Sequence, residues 1–295
     1  MAFAGTAPFA ESVLADIVGS RHAPVVVVTK PDRPRGRHGT PQAPGVKTAA
    51  LAAGLAVLQP ERIGAPEAVS ALMRFEPDVF VACAYGQIVG EAVLEALPCL
   101  VVHPSPVPRW RGAAPVERAL MAGETALGVA TLRMTAGVDE GPVADERSVE
   151  VPADADAGEA YRLLAPVAVA SLVTTLDGMA DGTVRWRSQD GPASYAPKIT
   201  AADRRIDWER PATAIADQVR ALSPHIGAVT ELLGRRTAIW RARAGDGPPP
   251  DPGPDRLGLR CGEGWLEILE LQQDGRRRMT AAEFLRGAGR SLAGP

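Results

Sequence analysis

Cysteine is scarce in this chain of 295 residues, where only Cys83, Cys99 and Cys261 occur. The three lie far apart and form no CxxC pair, a usage typical of proteins from a reducing cytoplasm. Each is interpreted as a small buried apolar residue rather than a ligand. The four histidines also show no metal-ligand spacing with these thiols. The sequence therefore predicts a cytoplasmic protein without a bound metal.

Long apolar runs are absent as well. The longest unbroken one, with glycine included, is Ala49–Leu58, ten residues against the ~20 that a membrane-spanning helix needs. The first residues, MAFAGTAPFAESV, have no basic segment ahead of a long apolar stretch and do not resemble a signal peptide. We therefore expect no membrane association. Only Met1 and Ala2 precede the first apolar segment, which leaves the true translation start open.

Apolar runs rich in β-branched residues alternate with amphipathic stretches through the first two thirds of the chain. Strands are predicted at Val25–Thr29, Val79–Ala82, Leu100–Val102 and Gly128–Leu132. Helices are predicted at Phe9–Val18, Val46–Ala53, Pro66–Phe75, Pro115–Met121 and Ala157–Met179. This alternation indicates an α/β domain with a mostly parallel sheet, which binds ligands beyond the carboxyl ends of its strands.

The pattern changes after residue 182. The segment Gly182–Thr200 is polar, carries glycine and proline, and is interpreted as a linker. One helix near Thr213–Leu222 and four short β-like pieces follow, separated by turns, which is typical of a small barrel or sandwich. The predicted organisation is a first domain over 1–182, a linker over 183–202 and a C-terminal domain over 203–295.

His103 stands directly after a predicted strand, at the edge where this architecture places its active site. Asp139 follows later in a Gly/Pro turn after another apolar run. A carboxylate beside the imidazole would fix its tautomer and raise its basicity, as general-base catalysis needs. Taken alone, a single histidine is more often structural, and an aspartate in a turn more often forms the turn. The pair is therefore a candidate catalytic site with a structural alternative.

Positive charge is concentrated between residues 21 and 47, although the whole chain has a net charge of −3. This stretch holds six basic residues and one acidic residue, a net charge of +5. Within it, Arg33, Arg35 and Arg37 lie among glycine and proline and form a cationic segment that can neutralise phosphates. Judged by charge alone, such a segment is more often a solvated loop.

Several segments, in order along nearly the whole chain, together resemble the methionyl-tRNA formyltransferase family. The segments are FAGTAPFA (3–10), TKPDRPRGR (29–37), AYG (84–86), RWRGAAP (109–115), SYAPKIT (194–200), RRIDW (204–208) and GRRRMTAAEFL (275–285). A single motif such as AYG is weak, but the ordered set is specific. The resemblance implies a Rossmann-like formyltransferase domain with a mostly parallel sheet, followed by a small OB-like β-barrel that binds tRNA.

The resemblance also implies a reaction. The formyl group of 10-formyltetrahydrofolate passes to the amine of methionine carried by initiator tRNA, which supports translation initiation. Such a transfer needs a proton shuttle, a carboxylate that positions it, and stabilisation of an oxyanion. In the family's Asn-x-His pattern with a distal Asp, His103 and Asp139 match the His and the Asp, whereas Val101 occupies the Asn position. Valine offers an oxyanion no donor, so another donor serves, or the enzyme is slow, or it formylates nothing.

Substrate contacts follow from the same resemblance. The residues expected to contact the folate form the loop after the histidine, Ser105, Pro106, Val107 and Pro108, which is otherwise a rigid surface turn. The residues expected to contact tRNA are Arg33, Arg35, Arg37, Arg276 and Arg277, of which the C-terminal pair is otherwise an exposed turn. The expected partners are initiator methionyl-tRNA and the folate co-substrate, bound by a monomer.

Two other functions stay open at this stage. A folate-dependent N-formyltransferase of a small amine would share the first domain, but the basic loop and the C-terminal domain argue against it. A catalytically impaired relative that binds tRNA or folate would account for Val101. Formylation of charged initiator tRNA, turnover with small amines only, and binding without turnover distinguish the three functions.

Overall fold

The computed structural model describes residues 1–34, 39–247 and 255–292. The helices within them are α1 (Pro8–Ile17), α2 (Gly45–Ala52), α3 (Pro66–Met73), α4 (Glu91–Ala96), α5 (Pro115–Met121), α6 (Ala157–Ala180), α7 (Ala201–Arg204), α8 (Ala212–Leu222) and α9 (Ala281–Leu292). The strands are β1 (Ala2–Gly5), β2 (Val26–Val28), β3 (Arg33–Pro34), β4 (Pro41–Gln42), β5 (Ala56–Leu58), β6 (Phe80–Cys83), β7 (Cys99–His103), β8 (Arg111–Gly112), β9 (Ala126–Arg133), β10 (Val143–Glu150), β11 (Tyr195–Ala196), β12 (Ala228–Leu232), β13 (Arg235–Gly245), β14 (Leu257–Arg260), β15 (Trp265–Gln273) and β16 (Met279–Thr280).

The chain divides into two compact units. The first comprises Met1–Pro115, Ala126–Val149 and Tyr161–Ala196. The second comprises Val116–Thr125, Glu150–Ala160 and Pro197–Pro295. The sequence-based division at residues 182 and 202 stays a prediction.

A seven-stranded sheet in the order β10-β9-β7-β6-β1-β2-β5 forms the centre of the first unit. The strands from β7 to β5 pair in parallel, and β9 joins β7 antiparallel. The strands β1, β2 and β6 are buried along their whole length, as expected of a parallel sheet whose two faces are both covered. The mostly parallel α/β fold predicted from the strand–helix alternation is confirmed.

Helix α1 shows how the sequence produces this packing. Pro8 occupies the first turn, where its missing N–H leaves no helical hydrogen bond unmade. Phe9, Val13, Leu14 and Ile17 recur at helical spacing and are all buried. Burial of each such side chain contributes about 1.5–3 kcal/mol relative to exposure, so the apolar face fixes the helix against the sheet.

Several elements of the first unit differ from the sequence-based expectation, among them α4, β5, β8, β10 and β11. Strand β10, VADERSVE, was not predicted because it is largely polar and only partly buried, and it lies at the edge of the sheet. The segment interpreted as a linker contains β11, which pairs in parallel with β8 through Tyr195↔Arg111 and Ala196↔Gly112. A strand of two residues carries no periodic signal, so the pattern could not indicate it.

Helix α6 is the longest helix of the described residues. Its most apolar window has a mean hydropathy of 1.6, so by length and composition alone it could cross a membrane, a test that core helices also pass. Leu164, Ala168 and Leu172 are fully buried, and the hydroxyls of Ser171 and Thr131 lie 2.8 Å apart. We therefore interpret α6 as a core helix packed on the sheet.

The second unit contains an antiparallel ladder in the order β12-β13-β15-β14, with β16 paired to β15. Its core joins Ile215 and Val219 of α8 to Ile239, Leu266 and Ile268 of the sheet. The register of β13 shifts after Ile239, and such bulges bend a strand and increase its twist. The result is the curled antiparallel sheet expected of the C-terminal domain.

Asp203 connects two helices of the second unit. Its carboxylate accepts hydrogen bonds from both terminal nitrogens of Arg118 on α5, at 2.7 and 2.9 Å. It also accepts from the N–H and hydroxyl of Thr200, which forms a capping box at the start of α7. Arg118 first, and Thr200 after it, hold the pKa of Asp203 well below its ordinary value of 3.8.

Candidate active site

His103 is the last residue of β7, and its side chain is only 5% exposed. On one side β7 pairs in parallel with β6, and on the other it pairs antiparallel with β9, where His103 stands opposite Ala130. The carboxyl ends of parallel strands meet at one edge of the sheet, so the loops that follow them converge around the imidazole. The histidine therefore lies at a strand end, as predicted.

The two ring nitrogens of His103 face two different acceptors. Nε2 lies 2.9 Å from the carbonyl oxygen of Trp110, and Nδ1 lies 3.5 Å from Oδ2 of Asp139. Because a carbonyl oxygen can only accept, Nε2 donates to it and carries the hydrogen of the neutral ring. Nδ1 is then the nitrogen that can take up a proton, beside a carboxylate that would stabilise the resulting positive charge.

Asp139 is held in place by its own backbone conformation and by a hydrogen bond to its carboxylate. Its φ of +54° lies in the left-handed region, which aspartate tolerates better than most residues. Its Oδ2, the same atom that faces His103, accepts a hydrogen bond from the N–H of Gly112 at 2.9 Å. The sequence prediction that His103 and Asp139 lie close together agrees with this geometry, and their catalytic role is taken up below.

The loop between β7 and β8 is held rigidly around the ring. The hydroxyl of Ser105 donates to the carbonyl of Arg109 at 2.8 Å. Trp110, with a φ of +59°, donates its N–H to the hydroxyl of Ser194 at 2.9 Å. Gly112 has a φ of +112°, and a Cβ there would lie 2.9 Å from the carbonyl oxygen of Ala196. The carbonyl of Trp110, which accepts the hydrogen bond from the imidazole, therefore has a fixed position.

The nearby thiols do not compete with this acid–base pair. Cys83 ends β6, next to Val102 of β7, and burial raises the pKa of its thiol. Burial also raises the pKa of Cys99, at the start of β7, to about 12. Since the thiolate is the nucleophilic form, both cysteines are inert at neutral pH.

Comparison with known proteins identifies the family to which this chain belongs. Residues 1–176 match the family described as Formyl transferase, and residues 198–289 match Formyl transferase, C-terminal domain. Over 99% of its length the chain is 42% identical to the methionyl-tRNA formyltransferase of Thiobacillus denitrificans, and it covers 96% of that protein. The chain belongs to the methionyl-tRNA formyltransferase family. It is also 47% identical to the methionyl-tRNA formyltransferase of Rubrobacter xylanophilus, with 97% of this chain and 96% of that protein covered.

Two solved structures share the fold. HypX from Aquifex aeolicus in complex with tetrahydrofolic acid matches 99% of this chain and 47% of its own, with a TM-score of 0.71 and 19% identity. Methionyl-tRNA formyltransferase from Clostridium thermocellum matches 82% of this chain and 92% of its own, with a TM-score of 0.60 and 14% identity. At these identities the likeness concerns the architecture alone.

Val101 occupies the position at which the family resemblance leads us to expect an asparagine. It lies two residues before His103 on β7, and side chains two apart in a strand share one face. It pairs with Leu132 of β9 and packs against a buried apolar cluster that includes Val107 and Val143. On this face of β7, position 101 therefore presents an apolar side chain.

The predicted folate loop is largely turned into the protein. Ser105 is 2% exposed and its hydroxyl is bonded to the backbone, while Val107 belongs to the apolar cluster that Val101 joins. Pro106 packs near Gly128, and the peptide bond before Pro108 is cis. The side chains of Ser105 and Val107 thus hold the loop in shape.

Of the predicted tRNA contacts, Arg35 and Arg37 lie outside the described residues. Arg33 lies in β3, is 67% exposed and forms an ion pair with Glu61 at 2.5 Å.

At the other end of the chain Arg276 is exposed, and Arg277 donates to Glu283 at 2.7 Å. The Thr280 N–H first, and then Arg277, lower the pKa of Glu283 to about 2. Arg277 therefore also stabilises the start of α9.

Three residues around the site carry no role in the sequence-based reading. Gln189 bonds the backbone of Asp139, Arg111 bonds Gln189, and Ser194 bonds Trp110. Ser194 belongs to the SYAPKIT segment, which gave a signal for the family but none for this contact. Among the described residues no group of three or more His, Cys, Asp or Glu could hold a metal ion.

Proposed function

We propose that this chain transfers the formyl group of 10-formyltetrahydrofolate to the amino group of methionine on initiator tRNA. The His103–Asp139 pair at the carboxyl edge of the sheet carries the proposal. It occurs in a chain whose relatives over nearly the full length are methionyl-tRNA formyltransferases. The pair supplies the acid–base chemistry that such a transfer needs.

The transfer moves one proton from the attacking amine to the leaving nitrogen of the folate, which supplies the activated formyl group. We assign uptake of the amine proton to Nδ1 of His103, because Nε2 donates to Trp110. Asp139 stabilises the imidazolium until the ring returns the proton to the leaving nitrogen. A positioned acid–base group of this kind contributes about 10²–10⁴ in rate.

The loop Ser105–Pro108 is proposed as one wall of the folate site. Val107 is buried in an apolar cluster that Val101 joins, which anchors the loop, and the wall of the site that it supports is apolar and suits a flat aromatic ring better than a charged group. Proline restricts φ at positions 104, 106 and 108, and the Ser105 hydroxyl holds the loop to its own backbone. The wall is therefore preorganised before any ligand enters.

Binding of tRNA is assigned to the basic residues at both ends of the chain, Arg33, Arg35, Arg37, Arg276 and Arg277. Arginine is suited to this contact because it neutralises phosphates and pairs with their oxygens in a fixed geometry.

The proposal includes a catalytic domain over 1–182, a linker over 183–202 and a tRNA-binding domain over 203–295. It also includes a monomeric, cytoplasmic protein that works without a metal.

Incorporation of labelled formyl groups from 10-formyltetrahydrofolate into charged initiator tRNA tests the proposal. We expect label in the tRNA with the wild-type chain, and a loss of about 10²-fold or more in His103→Ala. The matched control is His225→Ala, which removes an exposed histidine of the second unit. Turnover with small amines but not with tRNA, or binding of both substrates without turnover, would overturn the proposal.

A further inference from the structure

Gln189 lies in the polar segment after α6 and uses its whole side-chain amide. Its Nε2 donates to the carbonyl oxygens of Asp139 and Gly141, each at 2.8 Å. Its Oε1 accepts from Nε and Nη2 of Arg111, at 3.0 and 2.7 Å. An amide has two donors and two acceptor positions, so all four are filled.

These four bonds join the main chain of the turn that carries Asp139 to the side chain of Arg111 on β8. Gln189 holds the main-chain carbonyl of Asp139, while Gly112, the residue after Arg111, holds its carboxylate. The turn that carries Asp139 and the strand that fixes its side chain are therefore joined through one amide. A displacement of either would move Oδ2 relative to Nδ1 of His103.

The backbone places Gln189 accurately because it is anchored on both sides. Two residues before it, Arg187 exchanges both backbone hydrogen bonds with Val143, at 2.8 and 2.9 Å. Six residues after it, Tyr195 enters β11, which pairs with β8. The segment thus runs along the site under constraint, and its amide meets groups that lie far away in sequence.

We propose that Gln189 is a positioning residue of the formyl transfer, which keeps Asp139 directed at His103. The inference rests on the proposed function. Gln189 touches the backbone of Asp139 and the side chain of Arg111, and it acts on the reaction through Asp139. Removal of the amide lowers kcat and leaves the KM values for folate and tRNA near those of the wild type.

The decisive comparison uses Gln189→Leu and the matched variant Gln218→Leu. Gln218, in the second unit, also donates to two carbonyls, those of Asp203 and Arg205 at 2.8 and 3.0 Å. Both variants remove a pair of side-chain to carbonyl bonds. We expect kcat to fall on the order of 10- to 100-fold in Gln189→Leu, as for a small misplacement of a catalytic group, and to stay near wild type in Gln218→Leu.

A third variant, Gln189→Glu, separates the two halves of the amide. Glutamate still accepts from Arg111, but it turns an acceptor toward the carbonyls of Asp139 and Gly141. If the donor half positions Asp139, kcat falls in this variant too. A kcat within about twofold of wild type in folded Gln189→Leu or Gln189→Glu would overturn the inference. Equal losses in Gln189→Leu and Gln218→Leu would overturn it as well.

A second readout does not depend on activity. The ¹⁵N resonances of the His103 ring, assigned by their loss in His103→Ala, report where its protons lie. We expect them to shift in Gln189→Leu and not in Gln218→Leu. If the wild-type chain formylates no tRNA but the ring responds in this way, the proposed function fails while the positioning role holds. Unchanged ring resonances in both variants would reject the positioning role.

Discussion

The carbonyl oxygen of Trp110 accepts a hydrogen bond from Nε2 of His103 at 2.9 Å, and this contact decides which ring nitrogen meets the carboxylate. The carbonyl is fixed because Trp110 has a φ of +59° and its N–H is bonded to Ser194. A non-glycine residue in this region costs on the order of 1–3 kcal/mol. The surrounding hydrogen bonds therefore stabilise a backbone conformation that serves the histidine.

The charge of Asp139 is expected to matter more than its shape. Asp139→Asn keeps an oxygen for the Gly112 N–H but places no negative charge beside Nδ1 of His103. We expect kcat to fall by about 10²–10⁴, measured in single-turnover formylation. Glu140→Gln removes the charge of the neighbouring carboxylate, which pairs with Arg111 and accepts a hydrogen bond from the Tyr195 hydroxyl. This variant should leave kcat near wild type. Equal effects of the two variants would contradict a specific role for Asp139.

An amide placed at position 101 should accelerate the proposed formyl transfer. Val101→Asn presents a side-chain donor on the strand face that carries His103. We expect kcat to rise, by up to the ~10²–10³ that one oxyanion donor contributes. Val101→Leu is the matched control, since leucine has nearly the shape of asparagine and no donor. Equal rates in the Asn and Leu variants would mean that another donor already holds the oxyanion or that the site is not that of a transferase.

The second unit should lose stability in acid through Asp203. Arg118 lowers the pKa of Asp203 in the folded state, so the carboxylate stabilises the fold at pH values above its unfolded pKa near 3.8. That stabilisation is lost as the pH falls through the lower folded-state pKa. We therefore expect Asp203→Asn to lower the free energy of unfolding at pH 7, with a difference from wild type that shrinks below about pH 4. Denaturant titrations at pH 7 and pH 3 test this, and a difference that does not depend on pH would contradict it.

The proposed contact of Arg37 with a tRNA phosphate should appear as a salt dependence of tRNA binding. Arg37→Ala is expected to weaken tRNA binding and to reduce the slope of log K against log salt concentration by about 0.7–0.9, one phosphate contact. Arg185→Ala, an exposed arginine of the segment after α6, is the matched control. Filter binding at several salt concentrations measures both, and the same slope in Arg37→Ala and wild type would rule out a phosphate contact.

Sequence periodicity was sufficient to predict the central strands of the first sheet. The runs that became β2, β6 and β7 are apolar throughout because they are buried on both faces, and this leaves an unambiguous pattern. The sequence pattern did not predict strand β10, because an edge strand can be polar on both faces. Its pairing depends on the neighbouring strand β9, which a local pattern does not report.

The candidate site was predictable only in part. His103 ends a strand that is parallel to β6, so the topology of an α/β sheet indicates its edge. Asp139 follows β9, which runs antiparallel to β7, so strand order alone does not bring its carboxylate to His103. Gln189 gave no signal, because it bonds main-chain carbonyls 48 and 50 residues away, and every residue offers such carbonyls. The contact that orders Asp139 therefore becomes visible only when the chain is folded.

Gly112 limits which substitutions the protein can accept near Asp139. It donates its amide to Asp139, and it has no room for a side chain because the carbonyl of Ala196 lies against it. Any larger residue at this position must displace Tyr195 and Ala196 together with the carboxylate. The segments RWRGAAP and SYAPKIT are therefore expected to evolve together. A substitution at Gly112 in the first requires a compensating substitution in the second.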